Sequence, residues 1–257
     1  MNKTVLITGG SSGIGYELAK VFGKENYNLI LVASNKEKLE KSADELTDSG
    51  FTVKTIAKDL SDPHSPSQIY DHLNKERISI DVLVNNAGFS NYGLFTETNL
   101  DLELSELQVN IVTLTHLTKF FVRDMLKRRD GKILNVASTA AFIPGPLMAV
   151  YYASKAYVLS FSEALNEELT GTGVHVTALC PGPTDTGFAT RGGVLDSPLF
   201  QGKILDASYV AQAAYDGLMR NQAVVIPGLK NQLMIQSLRL IPRSKIPKVV
   251  KKMQEKR

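Results

Sequence analysis

Tyr151 and Lys155, four positions apart in the stretch VYYASKAY (150–157), are the pair in this chain best suited to proton chemistry. A free phenol has a pKa of about 10 and keeps its proton at neutrality, whereas a cation a few ångströms away favours the phenolate and lowers that value. Side chains four residues apart on a helix share a face, so Lys155 can offer its ammonium to Tyr151. Tyr152 is turned by roughly 100° from Tyr151 on a helix of 3.6 residues per turn. Tyr157 follows the lysine by two positions and points elsewhere. Tyr151 is therefore the candidate acid, able to hand a proton to an alkoxide as it forms at a carbonyl. Ser138, at the end of the apolar run GKILNVAS, is placed to hydrogen-bond the same oxygen and stabilise its developing charge. Alone, the pair also fits an ordinary amphipathic helix, and Ser138 a strand cap, so the surrounding elements have to decide.

The first such element is TGGSSGIG (8–15), a glycine-rich turn between an apolar strand (4–8) and a helix. Glycines allow tight turning and close backbone approach, and the unpaired N–H groups of a helix N-terminus suit a pyrophosphate. Gly9, Ser11, Ser12, Gly13, Ile14 and Gly15 are thus candidate dinucleotide contacts. Their Gly9-x-x-x-Gly13-x-Gly15 spacing is one residue longer than the common G-x-G-x-x-G. About twenty residues on, where an Asp or Glu would hold the ribose 2′-hydroxyl of NAD, stand Ala33, Ser34 and Asn35, followed by Lys36 and Lys38. No carboxylate repels a 2′-phosphate there, so Ser34, Asn35 and Lys38 predict a preference for NADP(H), with NAD(H) as the second choice.

Apolar strand runs alternate with amphipathic helices along the chain: LILVA (29–33), a helix ending in a turn at Gly50, TVKTIAKD, a helix after Pro63, and IDVLVNNAG. A long helix from about Leu104 to Arg129, GKILNVAS, the tyrosine helix, VHVTALCPGP and a short AVVIPG follow. This alternation predicts a single-domain α/β fold, Rossmann-type and doubly wound, with helices on both faces of a parallel sheet. A catalytic domain over residues 1–228 is expected, with a basic extension over 229–257. Residues 183–206 break the alternation and read as a substrate lid.

TGGSSGIG, NNAG (85–88), Asn110, Ser138, Tyr151-x-x-x-Lys155 and PGPTDT (181–186), in this order over nearly the whole chain, resemble the short-chain dehydrogenase/reductase family. The resemblance implies a seven-stranded sheet and hydride transfer between a nicotinamide and a carbonyl/alcohol pair. It implies that Asp59, beside Leu60, contacts the adenine and that Asn86, Ala87 and Gly88 line the cofactor. Pro181 and Gly182 join them, with Thr184 (through its backbone) and Thr186 holding the carboxamide. Lys155 is implied to grip the nicotinamide ribose, and Asn110 to anchor a water that relays protons from Lys155. Dimers or tetramers are the expected assembly.

Composition bounds the rest. A formal charge of +3 over 257 residues does not point to nucleic acid. One cysteine, Cys180, suits a reducing compartment; no apolar run approaches the roughly 18 residues of a membrane span, and the N-terminus lacks a secretory pattern, so a cytoplasmic protein is expected. The four histidines have no metal-ligand spacing, so no metal is expected. Phe89, Tyr92, Phe95, the stretch 142–148, Phe188, Leu195 and Phe200 are candidate pocket residues, and favour a hydrophobic ketone, aldehyde or secondary alcohol. The last 19 residues, from Arg239, carry eight basic residues against Glu255. This tail reads as a solvated terminus first, and as a contact for an anionic membrane surface or an acidic acyl carrier second. Two further readings stay open: a 3-oxoacyl thioester reductase, and a non-catalytic NADP(H)-binding regulator or scaffold.

Overall fold

The computed structural model describes residues 2–188, 192–193 and 204–255. Its strands are β1 (Thr4–Thr8), β2 (Asn28–Ala33), β3 (Val53–Ala57), β4 (Val82–Asn85), β5 (Gly131–Val136), β6 (Val174–Leu179) and β7 (Val224–Val225). They form one parallel sheet in the order β3-β2-β1-β4-β5-β6-β7. The helices are α1 (Gly13–Lys24), α2 (Lys36–Asp48), α3 (Ser65–Lys75), α4 (Leu100–Leu107), α5 (Leu114–Arg128) and α6 (Ala149–Glu168), then α7 (Ala207–Met219), α8 (Leu229–Ser237) and α9 (Ile246–Gln254). The doubly wound parallel sheet read from the alternation is present, with the seven strands implied by the resemblance.

Alternation along each strand divides the core in two. Val5 and Ile7 of β1 face α1, α2 and α7, packing with Leu18, Phe22, Leu39 and Leu218. Leu6, between them, faces the other way, toward Ile69 of α3 and Leu117 and Phe121 of α5. Both faces are apolar because every interior strand is covered twice, which is why these strands read as continuous hydrophobic runs. The chain reverses direction of winding between β1 and β4, and the carboxyl ends of these strands open a crevice there.

The helix expected from about Leu104 begins at Leu100, where the Asn99 side chain accepts from Leu102 N at 3.0 Å and caps it. From there the helical run passes through a π-helical turn, Gln108–Thr113, before continuing as α5. That wider turn contains Asn110.

The basic tail is folded back onto the body, not a solvated terminus. Ile246, Val250 and Gln254, four apart, form the inner face of α9; Ile246 and Val250 pack with Ala140, Met148 and Tyr152. Gln254 Nε2 donates to the Tyr152 hydroxyl, and the Tyr92 hydroxyl donates to Gln254 O at 2.8 Å. Pro247 lies in the first turn of α9, where its missing N–H has no helical partner to lose, so the proline starts this helix instead of interrupting it. Lys248, Lys251 and Lys252 remain on the exposed side. Among the described residues no helix is long and apolar enough to cross a membrane.

The glycine turn owes its shape to close packing. A Cβ on Gly15 would lie 2.3 Å from Gly9 O and 2.5 Å from Asn86 Nδ2, whereas one on Gly50 (φ +88) would meet nothing within 4 Å. Gly15→Ala is therefore expected to cost about 1–3 kcal/mol or more through overpacking. Gly50→Ala should cost only the ~1–2 kcal/mol of a left-handed L-residue. Thermal melts of both variants test this; an equal or smaller loss for Gly15→Ala would remove the packing explanation.

Candidate active site

A cleft of about 740 Å³ runs along the carboxyl ends of the strands. Its walls carry Gly9, Ser11, Ser12, Gly13 and Ile14 of the first turn, Ser34, Asn35 and Lys38 after β2, and Asp59 and Leu60 after β3. Asn86, Ala87 and Gly88 after β4, Ser138 after β5, Tyr151 and Lys155 of α6, and Pro181, Gly182, Thr184 and Thr186 after β6 complete the set. Of the residues singled out in the sequence for the site, Gly15 and Asn110 stand behind this surface. Gly15 lets the helix approach Gly9, and Asn110 is 1% exposed.

The glycine turn is tied to the NNAG segment by a short network. Thr8 Oγ1 accepts from Asn86 N and Ala87 N, both at 3.0 Å, and donates to Val84 O at 3.2 Å. Asn86 Nδ2 returns to Thr8 O at 2.9 Å. Glycine 9, with φ +66, leaves no room for a side chain there, because a Cβ would meet Asn86 at 2.8 Å. The result is a bare backbone surface at the start of α1, which fits a dinucleotide pyrophosphate. At the other end of that surface the Asn35 side chain caps α2 by accepting from Lys38 N at 2.8 Å. Lys38 and Lys58 supply the cations, Lys58 also donating to Gln68 Oε1 at 2.6 Å. Asp59 is the one carboxylate among the described lining residues, and its Oδ1 is held by Ser61 N (2.9 Å) and Ser61 Oγ (2.8 Å).

The proton-transfer groups meet at the middle of the cleft. Lys155, 5% exposed, donates to Val136 O at 2.8 Å and holds its Nζ 5.7 Å from the centroid of the Tyr151 ring. Ser138 caps the short 3₁₀ turn Thr139–Phe142, its Oγ accepting from Ala140 N at 3.1 Å, and it also hydrogen-bonds the Tyr151 phenol. Tyr152 is buried under α9 and Tyr157 is 38% exposed beside Thr115, so Tyr151 is the phenol beside both Ser138 and Lys155.

The electrostatics depart from the sequence expectation. Burial pushes the Tyr151 phenol above its ordinary range, and the Ser138 hydrogen bond only partly opposes this. Burial also pulls the Lys155 ammonium down to about 8, Glu106 being the largest opposing influence. The lysine does not depress the phenol because both groups are desolvated and Nζ is directed at a backbone carbonyl, not at the hydroxyl. Tyr151 therefore holds its proton firmly at neutrality.

Asn110 has a mechanical task. Its Oδ1 accepts from Phe89 N (3.2 Å), and its Nδ2 donates to Phe89 O (3.0 Å) and Ser154 Oγ (3.1 Å). Ser154 in turn donates to Tyr151 O at 2.7 Å. One amide thus locks the NNAG loop to the helix that carries Tyr151 and Lys155. Its neighbour on the preceding turn, Glu106, is wholly buried, with its carboxyl raised to about 7 by desolvation. Sequence reading passed over Ser154, Lys58 and Glu106. The 3- and 4-residue spacing of Glu103, Glu106 and Asn110 was the available signal, since it puts two acids on the face that Asn110 buries.

The substrate end is apolar. Phe89, Ile143, Met148 and Phe188 line it as expected, joined by Met234, Val250 and Met253 from the tail, which the sequence reading did not include. Phe188 lies 5.4 Å from the Tyr151 ring. Other expected members lie elsewhere, including Pro144 to Leu147 of the stretch 142–148. Phe95 is 64% exposed, Phe142 packs with Val158 and Leu159, and Tyr92 supports α9. Leu195 and Phe200 fall outside the described residues, as does much of the expected lid. Cys180 is buried and its thiol is pushed up to about 12 by that burial, so it is packing and not a nucleophile. Among the described residues no group of His, Cys, Asp and Glu side chains could hold a metal ion.

Comparison with known proteins agrees with this geometry. Residues 3–192 match the family model described as short chain dehydrogenase. The chain is 34% identical to the oxidoreductase UcpA of Escherichia coli over 188 residues, 73% of this chain and 71% of that one. It superposes on a short-chain dehydrogenase from Sphingobium yanoikuyae in complex with NADPH with a TM-score of 0.84 and 32% identity, covering 92% of each chain. It also superposes on the bulky-bulky ketone specific alcohol dehydrogenase from Comamonas testosteroni with a TM-score of 0.78 and 29% identity, covering 93% of this chain and 92% of that one. Sheet order, glycine turn and the Ser138, Tyr151 and Lys155 arrangement thus have one common source: the chain is an oxidoreductase of the short-chain dehydrogenase/reductase family.

Proposed function

We propose that this enzyme interconverts a bulky lipophilic ketone or aldehyde and its alcohol with NADP(H), using Tyr151 as the acid. The observation that carries the reading is a single cleft with a glycine cradle at one end and an apolar wall at the other. Ser138, Tyr151 and Lys155 converge between them. The cradle, Ser34, Lys38 and Lys58 would hold the nucleotide, and Thr184 and Thr186 its nicotinamide end; the bound nucleotide supplies or accepts the hydride.

In the reduction direction Ser138 and Tyr151 hold the carbonyl oxygen, and the Tyr151 O–H bond breaks as its proton passes to the oxygen that becomes the alcohol. Ser138 donates to the same oxygen while negative charge builds there. Lys155 stabilises the phenolate left on Tyr151, and the proton is restored along the lysine side of the site. Phe89, Met148, Phe188, Val250 and Met253 exclude water and accept an apolar substrate body. The bulky ketone named for the Comamonas relative, and the NADPH bound by the Sphingobium one, support both halves of this reading.

Tyr151→Phe is expected to lower carbonyl-reduction kcat by roughly 10²–10⁴-fold, the usual worth of a general acid, with NADPH affinity nearly unchanged. Rates over a panel of aryl and alicyclic ketones, with NADPH binding read by fluorescence, test this; wild-type turnover in the variant removes Tyr151 from the reaction. For the cofactor, titration should show NADPH bound more tightly than NADH. Lys38→Ala should weaken NADPH about tenfold, the ~1.4 kcal/mol of a single charge-assisted contact, and leave NADH unaffected. Tighter NADH binding by the wild type would reverse the assignment.

A further inference from the structure

Among the described residues, three Asp, Glu, Lys or Arg side chains are buried: Glu103 and Glu106 on α4 and Lys155 on α6, two helices that pack against each other. Burying a charge is costly unless an opposite charge or several hydrogen bonds meet it. Glu103 is met locally, its Oε1 accepting from Thr98 Oγ1 at 2.7 Å in the first turn of α4. Glu106 is 0% exposed and lies one turn further in. Its Oε2 accepts from Asn91 N at 3.1 Å, while its Oε1 is buried with no hydrogen-bond partner. Ser90 Oγ and Asn91 Nδ2, on the loop against it, are orphaned in the same way. On the other side, Lys155 donates to a single backbone carbonyl, Val136 O.

We infer that Glu106 is a positioning residue that keeps Lys155 protonated, acting through space across the α4–α6 contact so that a cation stays beside Tyr151. The inference rests on the reading of Tyr151 and Lys155 as the proton-transfer pair. The charged and titratable groups facing Glu106 are Lys155 and Tyr151 from α6 and Glu103 from its own helix. Lys155 is faced besides by Cys180, whose burial keeps it a thiol. Burial drives Lys155 and Glu106 toward neutrality, and each restrains the other: the lysine lowers the carboxyl, and the carboxylate raises the ammonium. Glu106 therefore ionises near neutral pH, and in doing so it strengthens the hold of Lys155 on its proton. Removing its charge shifts Lys155 to a lower pKa, and the alkaline fall in reduction rate moves toward acid with it.

The test is Lys155 13Cε titration by NMR in lysine-labelled protein, assigned by Lys155→Met, alongside the kcat–pH profile for ketone reduction. In wild type the Lys155 signal should show an inflection at the midpoint of Glu106, followed separately by the Glu106 carboxyl carbon. In Glu106→Gln the inflection should vanish and the Lys155 midpoint should fall by on the order of one pH unit, the size of a nearby opposite charge. The alkaline limb of kcat should fall by the same amount, with NADPH binding unchanged; Glu106→Asp should restore part of both shifts. A Lys155 midpoint unmoved in Glu106→Gln overturns the inference, as does a moved midpoint with an unmoved kcat limb. Should Glu106→Gln not fold, absence of the wild-type inflection overturns it instead. A shifted Lys155 in an enzyme whose wild type reduces no carbonyl would leave the coupling standing and defeat the reductase reading.

Discussion

A cation buried next to a phenol is the constraint around which this structure is organised. In the proposed reaction Lys155 has to be dry enough to act strongly on Tyr151, yet charged enough to act at all, and burial alone works against the second condition. The fold places the lysine at the carboxyl end of β5, where Val136 O accepts a hydrogen bond from it, and the only other buried Asp, Glu, Lys or Arg side chains among the described residues are Glu103 and Glu106 on α4. Burial holds the proton on Tyr151 in the resting state, and in the proposed reaction the ammonium would meet the phenolate as it forms.

Rigidity around that pair comes from hydrogen bonds that cross between elements. Asn110 clamps the loop after β4 and reaches Ser154, and Ser154 bonds back to the turn that carries Tyr151. A deeper chain runs from Thr118 through Asn85 and Asn135 to Ser162, tying α5, β4, β5 and α6 together with no exposed member. Both amides donate along this chain, and Asn85 Oδ1 alone is left buried without a partner, so the polar interior favours one relative placement of the helices. The π-helical turn at Gln108–Thr113 belongs to the same design, since it sits where Asn110 faces Gly88, on which a Cβ would lie only 2.9 Å from the amide oxygen.

The apolar end of the cleft is a composite. Residues after β4 and before α6 form its floor, and the tail, through Met234, Val250 and Met253, forms its outer wall. The cations of the last helix face solvent because the spacing of Ile246, Val250 and Gln254 turns the apolar side inward. Pocket shape and terminal charge are in this way properties of one helix, and the segment with the most uneven composition in the chain closes the site.

How much of this was legible follows from the range of each signal. Strand–helix alternation, the glycine turn and the four-residue spacing of Tyr151 and Lys155 are local patterns. Backbone geometry converts them directly into a parallel sheet, a bare pyrophosphate cradle and a shared helix face. The sequence by itself therefore determined the architecture, the placement of Tyr151 beside Lys155 and most of the cleft residues from Gly9 to Thr186. Tertiary structure alone decided that Glu106 and Lys155 are both buried on helices that pack together, that the phenol is raised instead of lowered, and that the basic tail lines the pocket. Those three outcomes depend on which distant residues exclude water from one another, and burial of that kind is a property of packed surfaces that no short stretch of chain carries.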